Sequence, residues 1–336
     1  MLEARLLHEH EYAAWDDFVY QAVSGSIYST AEYLEILSTV TGGSYRVLGA
    51  FFGDKLVGGI GLYEQRARTG GTFVSNRLLL YYNGIVVDPA EASATCEALL
   101  RMLDSLDYRA ITLHNRKLST ENPALPPGWT TERTQTYVVS LSDLSDLWNR
   151  MEKNARRLIR RAEEHTLKVT SDDDFDSFFA IHHEIHQRKG ALLYLSEARF
   201  RDYYNKLIER NLAKLYHARL PNGEAVATQL VLFGRHPVCH TVCAGGREQY
   251  QNIGANVYLR WKVFEVLREL NFRANDLTDA APNSVTRFKA QLGGALEENV
   301  VFRGRTHSLY QFERFCSNVT RRLKRKFLGR ARSEHG

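Results

Sequence analysis

Leu215-Tyr216-His217-Ala218-Arg219-Leu220, a turn at Asn222-Gly223, and Ala225-Val226-Ala227-Thr228-Gln229-Leu230-Val231-Leu232-Phe233 form two apolar runs joined by a strong short hairpin signal. Val238 to Ala244 adds a third run, and an amphipathic stretch from about Ala255 to Leu270 reads as a helix. The same order occurs earlier in the chain. Val47 to Phe52 and Leu56 to Tyr63 flank Gly53-Asp54, Leu78 to Val87 follows, and a helix is expected near Ala90 to Ser105. The spacing from Asp54 to Gly223 matches that from Ala98 to Val266 within one residue, so a duplicated α/β domain is the economical reading.

Composition fits two such domains. The chain has 336 residues, 44% apolar and 25% charged, enough to bury two ordinary cores and unlike a disordered chain. Met1 to Glu11 lacks an apolar run with a small-residue cleavage site, and no uncharged stretch reaches the length of a membrane span. A soluble, cytoplasmic protein is expected. Cys96, Cys239, Cys243 and Cys316 match no common zinc or redox spacing and are expected as buried free thiols.

The net charge of +5 is unevenly spread. Arg150, Lys153, Arg156, Arg157, Arg160, Arg161 and Lys168 cluster on an expected helix. Arg314, Arg321, Arg322, Lys324, Arg325, Lys326, Arg330 and Arg332 crowd the C-terminus. Such blocks attract polyanions such as tRNA, nucleotide-linked sugars or an acidic bilayer, although each is also compatible with a solvated helix face. Beyond about Arg305, Phe312, Phe315, Val319, Leu323 and Phe327 recur at three- and four-residue steps. The tail therefore reads as a basic amphipathic helix, with residues 312–330 suited to an anionic membrane interface.

Asn122 to Gly128 is the densest turn cluster, Thr136 to Leu141 alternates as a strand, and a polar stretch leads to the basic helix. The division expected is 1–145, 146–305 and a tail at 306–336. In the second copy, Gln251-Asn252-Ile253-Gly254-Ala255-Asn256 joins a strand to a helix; backbone N–H groups at such a turn favour a pyrophosphate or oxyanion. The first copy has Gly84-Ile85-Val86-Val87-Asp88-Pro89 instead, with a proline lacking an N–H and an aspartate that repels anions.

The strand, Gln-x-x-Gly-x turn and helix resemble the GNAT acyltransferase fold, whose loop grips the pyrophosphate of acyl-CoA. Asn256 stands where that pattern has a small residue. With the duplication, the chain resembles the Fem-type aminoacyltransferases and their FemAB-like or CelD-like relatives, from about Ile27 to Val301. Ser26 to Tyr33, Leu80-Tyr81-Tyr82-Asn83-Gly84-Ile85, Lys153 to Ala162 and His186-Gln187-Arg188-Lys189-Gly190 carry the likeness, together with Arg199-Phe200-Arg201-Asp202-Tyr203. Asn275-Asp276-Leu277-Thr278-Asp279 leading to Arg287-Phe288-Lys289-Ala290-Gln291-Leu292-Gly293-Gly294 is the strongest segment.

The resemblance implies two tandem GNAT-like domains, mixed sheets flanked by helices, with the first domain degenerate and on the acceptor side. It implies Lys289 as the cation stabilising a tetrahedral intermediate and Phe288 as a wall of the channel. Chemistry agrees, because amide-forming acyl transfer develops an oxyanion that a fixed cation stabilises. Asp276 and Asp279 could orient the acceptor amine or accept its proton, or Asp276 could simply cap the next segment; the family usually has glycine at the second position. Arg188, Arg199 and Tyr203 are expected to bind acceptor phosphates, with Tyr28 and Tyr82 as further contacts. Gln251, Gly254, Ala255 and Asn256 are expected at the donor phosphate. No metal and no tightly bound cofactor is expected, since His182 and His186 share a helix face without a third ligand.

The expected activity is transfer of an acyl or aminoacyl group, from aminoacyl-tRNA or acyl-CoA, to an amine of a nucleotide- or lipid-linked cell-envelope precursor. Acyl-CoA-dependent N-acetylation of a small molecule or sugar is the second reading. A membrane-associated binding protein of the same fold is the third.

Overall fold

The repeat in the sequence becomes a repeat in strand pairing. The computed structural model describes residues 2–68, 70–77, 79–118, 123–278, 284–304, 306, 310 and 311. The chain packs as two compact units: Met1–Arg133 with His186–Tyr194 and Val300–Gly336, and Thr134–Ile185 with Leu195–Asn299.

The first unit contains β1 (Leu2–Leu6), α1 (Tyr12–Gln21), α2 (Ala31–Thr41), β2 (Ser44–Phe52), β3 (Lys55–Arg66), β4 (Thr72–Val74), β5 (Ile85–Val87), α3 (Ala92–Ser105) and β6 (Tyr108–Arg116). The pairs β1–β2, β2–β3 and β3–β4 are antiparallel, β4–β6 is parallel, and β5 pairs separately with β3. Helix α2 begins where the Thr30 hydroxyl accepts the Tyr33 N–H, and stops at Gly42 in the left-handed conformation. On α3, Cys96, Leu99, Leu100 and Leu103 pack on Leu48, Ile60, Val87 and Leu113 of the strands. Burial of that stripe, about 2 kcal/mol per leucine, holds the helix to the sheet.

The second unit takes most of its elements from the rest of the chain. They are β7 (Thr130–Ser140), which changes unit between Arg133 and Thr134, α4 (Leu144–Arg150), α5 (Lys153–Glu164), β8 (Lys168–Ser171), α6 (Phe175–Arg188) and α7 (Glu197–Glu209). There follow β9 (Ala213–Arg219), β10 (Ala225–Leu232), β11 (Val238–Gly246), α8 (Ala255–Glu269), β12 (Ala274–Asp276), α9 (Ser284–Ala290) and β13 (Ala295–Arg303); α6 passes to the first unit at His186 and β13 at Val300. Strands β8 to β11 pair antiparallel in order and β11–β12 is parallel, which repeats the β1, β2, β3, β4, β6 pattern. Two helices precede each hairpin and one precedes each last parallel strand, as duplication requires. The seam expected near residue 145 falls in α4.

Cys96, Cys239 and Cys243 are buried free thiols. Among the described residues, no helix is long and apolar enough to cross a membrane. Cys316 and the amphipathic tail at 312–330 lie outside the described residues.

Candidate functional site

In the second unit, β11 and β12 part company. They pair only over Val238–His240 and Ala274–Asp276, whereas β11 continues to Gly246 against β10, with a bulge opposite Leu230 and Val231. Ligands of α/β sheets bind where parallel strands end at their carboxyl termini.

Asp276 ends β12 and is 0% exposed. Its Oδ1 accepts the Thr136 hydroxyl and the Thr278 backbone N–H, each at 2.7 Å, and its Oδ2 lies 3.6 Å from Nδ1 of buried His240. The bond to Thr278 two residues on closes an Asx turn. Thr278 sits at φ 49, a left-handed conformation unfavourable for a β-branched side chain. That conformation turns its carbonyl to accept from Lys289 Nζ. Lys289, on α9, is only 8% exposed, and neighbouring Phe288 packs on the core. A nearly buried ammonium needs polar partners to stay charged, and the β12 turn supplies one. Sequence reading named Lys289 and Asp276 as candidates and did not name Thr136, His240 or the connecting Thr278, which the structure brings beside them. Asp279 lies outside the described residues.

The expected donor loop opens α8. Gly254 is its N-cap at φ 80 and provides no side-chain cap. A Cβ there would stand 2.2 Å from the Leu158 carbonyl oxygen of α5. Glycine is thus required by the turn and by the backbone of the basic helix, a reason the sequence did not disclose. Gln251 is exposed and its carbonyl accepts the Gly254 N–H at 3.1 Å; Ala255 is buried and Asn256 is partly buried.

Helix α5 keeps Ala155, Ile159 and Ala162 inward and leaves Lys153, Arg157, Arg160 and Arg161 exposed. Arg160 stacks over Trp148, with its guanidinium carbon 5.8 Å from the ring centroid. Arg199 is exposed near the start of α7, while Tyr203 on the same helix is fully buried against Phe200. Arg188 is exposed at the end of α6 and belongs to the first compact unit.

Within the first unit, Tyr28 and Tyr82 come together across 54 residues of sequence, their rings 6.0 Å apart. Tyr33 and Tyr81 extend the cluster, and His114 of β6 lies 5.3 Å from Tyr82. Asn83 fixes the segment by accepting the His114 N–H at 2.9 Å and donating to the Thr112 carbonyl at 2.8 Å. Gly84 lies so close to Asn115 that a Cβ would meet the Asn115 Cα at 2.6 Å. Tyr28 and Tyr82 are each 1% exposed, so this is a packed aromatic group.

The second unit's strand order, parting parallel pair and glycine-started helix define a GNAT acyltransferase domain, and residues 149–290 match the family described as Acetyltransferase (GNAT) domain. Among solved structures the chain is similar to FemX at 15% identity and TM-score 0.69, covering 89% of this chain and 96% of that one. The chain has a tandem GNAT fold. A tandem GNAT protein from the clavulanic acid biosynthesis pathway is similar at 15% identity and TM-score 0.54, over 90% of this chain and 98% of the other. The C-terminal domain assigned to a lysylphosphatidylglycerol synthetase of Agrobacterium fabrum follows at 11% identity and TM-score 0.56, over 88% and 93%. At these identities the likeness is one of fold. No curated protein matches the chain in sequence.

Proposed function

We propose that the chain joins an activated aminoacyl group to an amine of a cell-envelope precursor, with Lys289 facing the oxyanion. The observation that carries this reading is a nearly buried lysine placed at the carboxyl end of the parting β11–β12 pair through Asp276 and Thr278. The acceptor amine attacks the donor carbonyl carbon, and the carbonyl π pair becomes an oxyanion. Collapse expels the donor's ester oxygen or thioester sulfur, and the amine loses a proton to a base. A preset ammonium stabilises the charged intermediate without reorganising at the moment of reaction. Asp276 acts as a positioning residue, because its contacts run to the turn that holds Lys289.

The first turn of α8 and the exposed cations of α5 suit an anionic donor. The length of that basic face, and Asn256 in place of the small residue of the CoA loop, favour aminoacyl-tRNA. Acyl-CoA is the second reading, supported by the Gln251–Gly254 turn and by the GNAT family match. The acceptor is nucleotide- or lipid-linked, with exposed Arg199 or exposed Arg188 as the candidate residue for its phosphates. Residues 312–330 would bring the chain to the inner face of the cell membrane.

The test incubates purified protein with a nucleotide-linked amino-sugar peptide and either labelled aminoacyl-tRNA or labelled acyl-CoA. Amide product from the tRNA donor is expected. Product from acyl-CoA alone would overturn the donor assignment, and no product from either across a panel of such acceptors would leave a binding protein.

A further inference from the structure

Cations elsewhere in the fold meet carboxylates: Arg46 lies 2.6 Å from Glu64, Arg219 lies 2.8 Å from Asp174, and Arg303 lies 2.6 Å from Glu132. Helix α5 differs. Lys153, Arg157, Arg160 and Arg161 are exposed and Arg156 is partly exposed, and none of the five makes an ion pair among the described residues. At 3.6 residues per turn they share the face opposite Ala155, Ile159 and Ala162. Glu163, near the end of the helix, turns instead to Lys262 of α8 at 3.7 Å. Five like charges along about 12 Å of helix repel one another, a cost that an anionic partner removes.

One of the five also has a ring beneath it. The Arg160 guanidinium carbon lies 5.8 Å from the centroid of Trp148, within cation–π range. Trp148, on α4, is held edge to face by Trp261 of α8, with centroids 4.9 Å apart and planes at 61°. Two packed indoles thus fix the ring, and the ring holds the guanidinium. Because Arg160 is exposed, the outer face of its guanidinium is open to a second flat group. A planar cation backed by an aromatic ring is a surface on which an unstacked base can lie, with neighbouring cations for its phosphates. A bilayer fits less well, since no apolar residue occupies an exposed position on α5 to enter it.

We infer that Arg160, backed by Trp148 and flanked by Lys153, Arg156, Arg157 and Arg161, is a stacking platform for a nucleobase of single-stranded RNA. The inference deepens the aminoacyl-tRNA reading and rests on it for the identity of the RNA. Phosphates on either side of the base lie along the other four cations. Coenzyme A offers the same chemistry, a purine beside phosphates, on a shorter molecule.

The experiment measures binding of the full chain, by fluorescence anisotropy at a series of salt concentrations, to a short labelled single-stranded RNA and to the same strand with abasic sugars in place of its bases. The parent should prefer the base-bearing strand by about 5- to 150-fold for one stacked base. Arg160→Lys keeps the charge and removes the plane. It should bring the intact strand close to the affinity of the abasic one while leaving the salt dependence of both unchanged. Arg157→Gln should weaken both strands alike and lower the salt slope by about 1. Equal affinity of the parent for the two strands, or a preference retained in Arg160→Lys, would overturn the inference, and so would binding to phosphatidylglycerol vesicles without binding to RNA. Arg160-dependent binding of coenzyme A, with none of RNA, would keep the platform and overturn RNA as its partner. No arm involves acyl transfer. Amide product from the tRNA donor with no base preference would sink the platform alone, and base-selective binding with no product would sink the reaction alone.

Discussion

Gly254→Ala tests the contact between the basic helix α5 and the start of α8. Two costs are separable. The first is conformational, since φ 80 suits glycine and costs alanine about 1 to 2 kcal/mol. The second is steric. The new Cβ would stand 2.2 Å from the Leu158 carbonyl oxygen and 2.8 Å from its carbon, where ordinary contact begins at 3.4 Å. Both groups are backbone, so no rotamer relieves the overlap and α5 must retreat by about 1 Å, at about 1 to 3 kcal/mol for such overpacking. Gly223→Ala is the control: its φ is 87, yet nothing lies within 4 Å of the added methyl, leaving only the conformational cost. Urea unfolding of both variants against the parent gives the two terms by subtraction. Gly254→Ala should lose about 2 to 5 kcal/mol in all and exceed Gly223→Ala by at least about 1. Equal losses within about 0.5 kcal/mol would refute the close approach of α5 to α8.

Lys289→Met should retain the melting temperature within a few degrees and lower turnover by about 10² to 10³, or about 2.7 to 4 kcal/mol, in a single-turnover transfer assay; a drop under about threefold would place the cation elsewhere. The Arg219 ion cluster predicts an acid-sensitive step in stability. Burial works to raise the Asp174 pKa, but the Ser177 backbone N–H and the Arg219 guanidinium, 2.8 Å away, prevail and hold it at about 2, below the usual carboxylate range. A depressed folded pKa gives stability that is full above the unfolded value and lost as pH falls toward 2. Asp174→Asn should therefore flatten the stability profile between about pH 4 and pH 2, and an unchanged slope in acid unfolding would remove Asp174 from that step.

The local elements were legible because their signals are local. Asn222-Gly223 fixes a hairpin by the φ its turn requires, the leucines of α3 repeat at helical spacing, and the two matching orders disclose the duplication. Lys289, Phe288 and Asp276 were named as candidates by likeness to a family, and the structure adds how Lys289 and Asp276 are connected. The link from Thr136 through Asp276 and Thr278 to Lys289 spans 140 residues of sequence between its first two members. Only strand pairing between β7 and β12 brings them into hydrogen-bonding range. Gly254 illustrates the same division. Its residue type announced a special backbone position, but the Leu158 carbonyl that forbids a side chain there belongs to another helix. Nothing in the sequence sets Arg260 apart from the chain's other cations. On α8 it is buried without a counter-ion among the described residues, which is a property of what surrounds a side chain and is settled only when the helix packs.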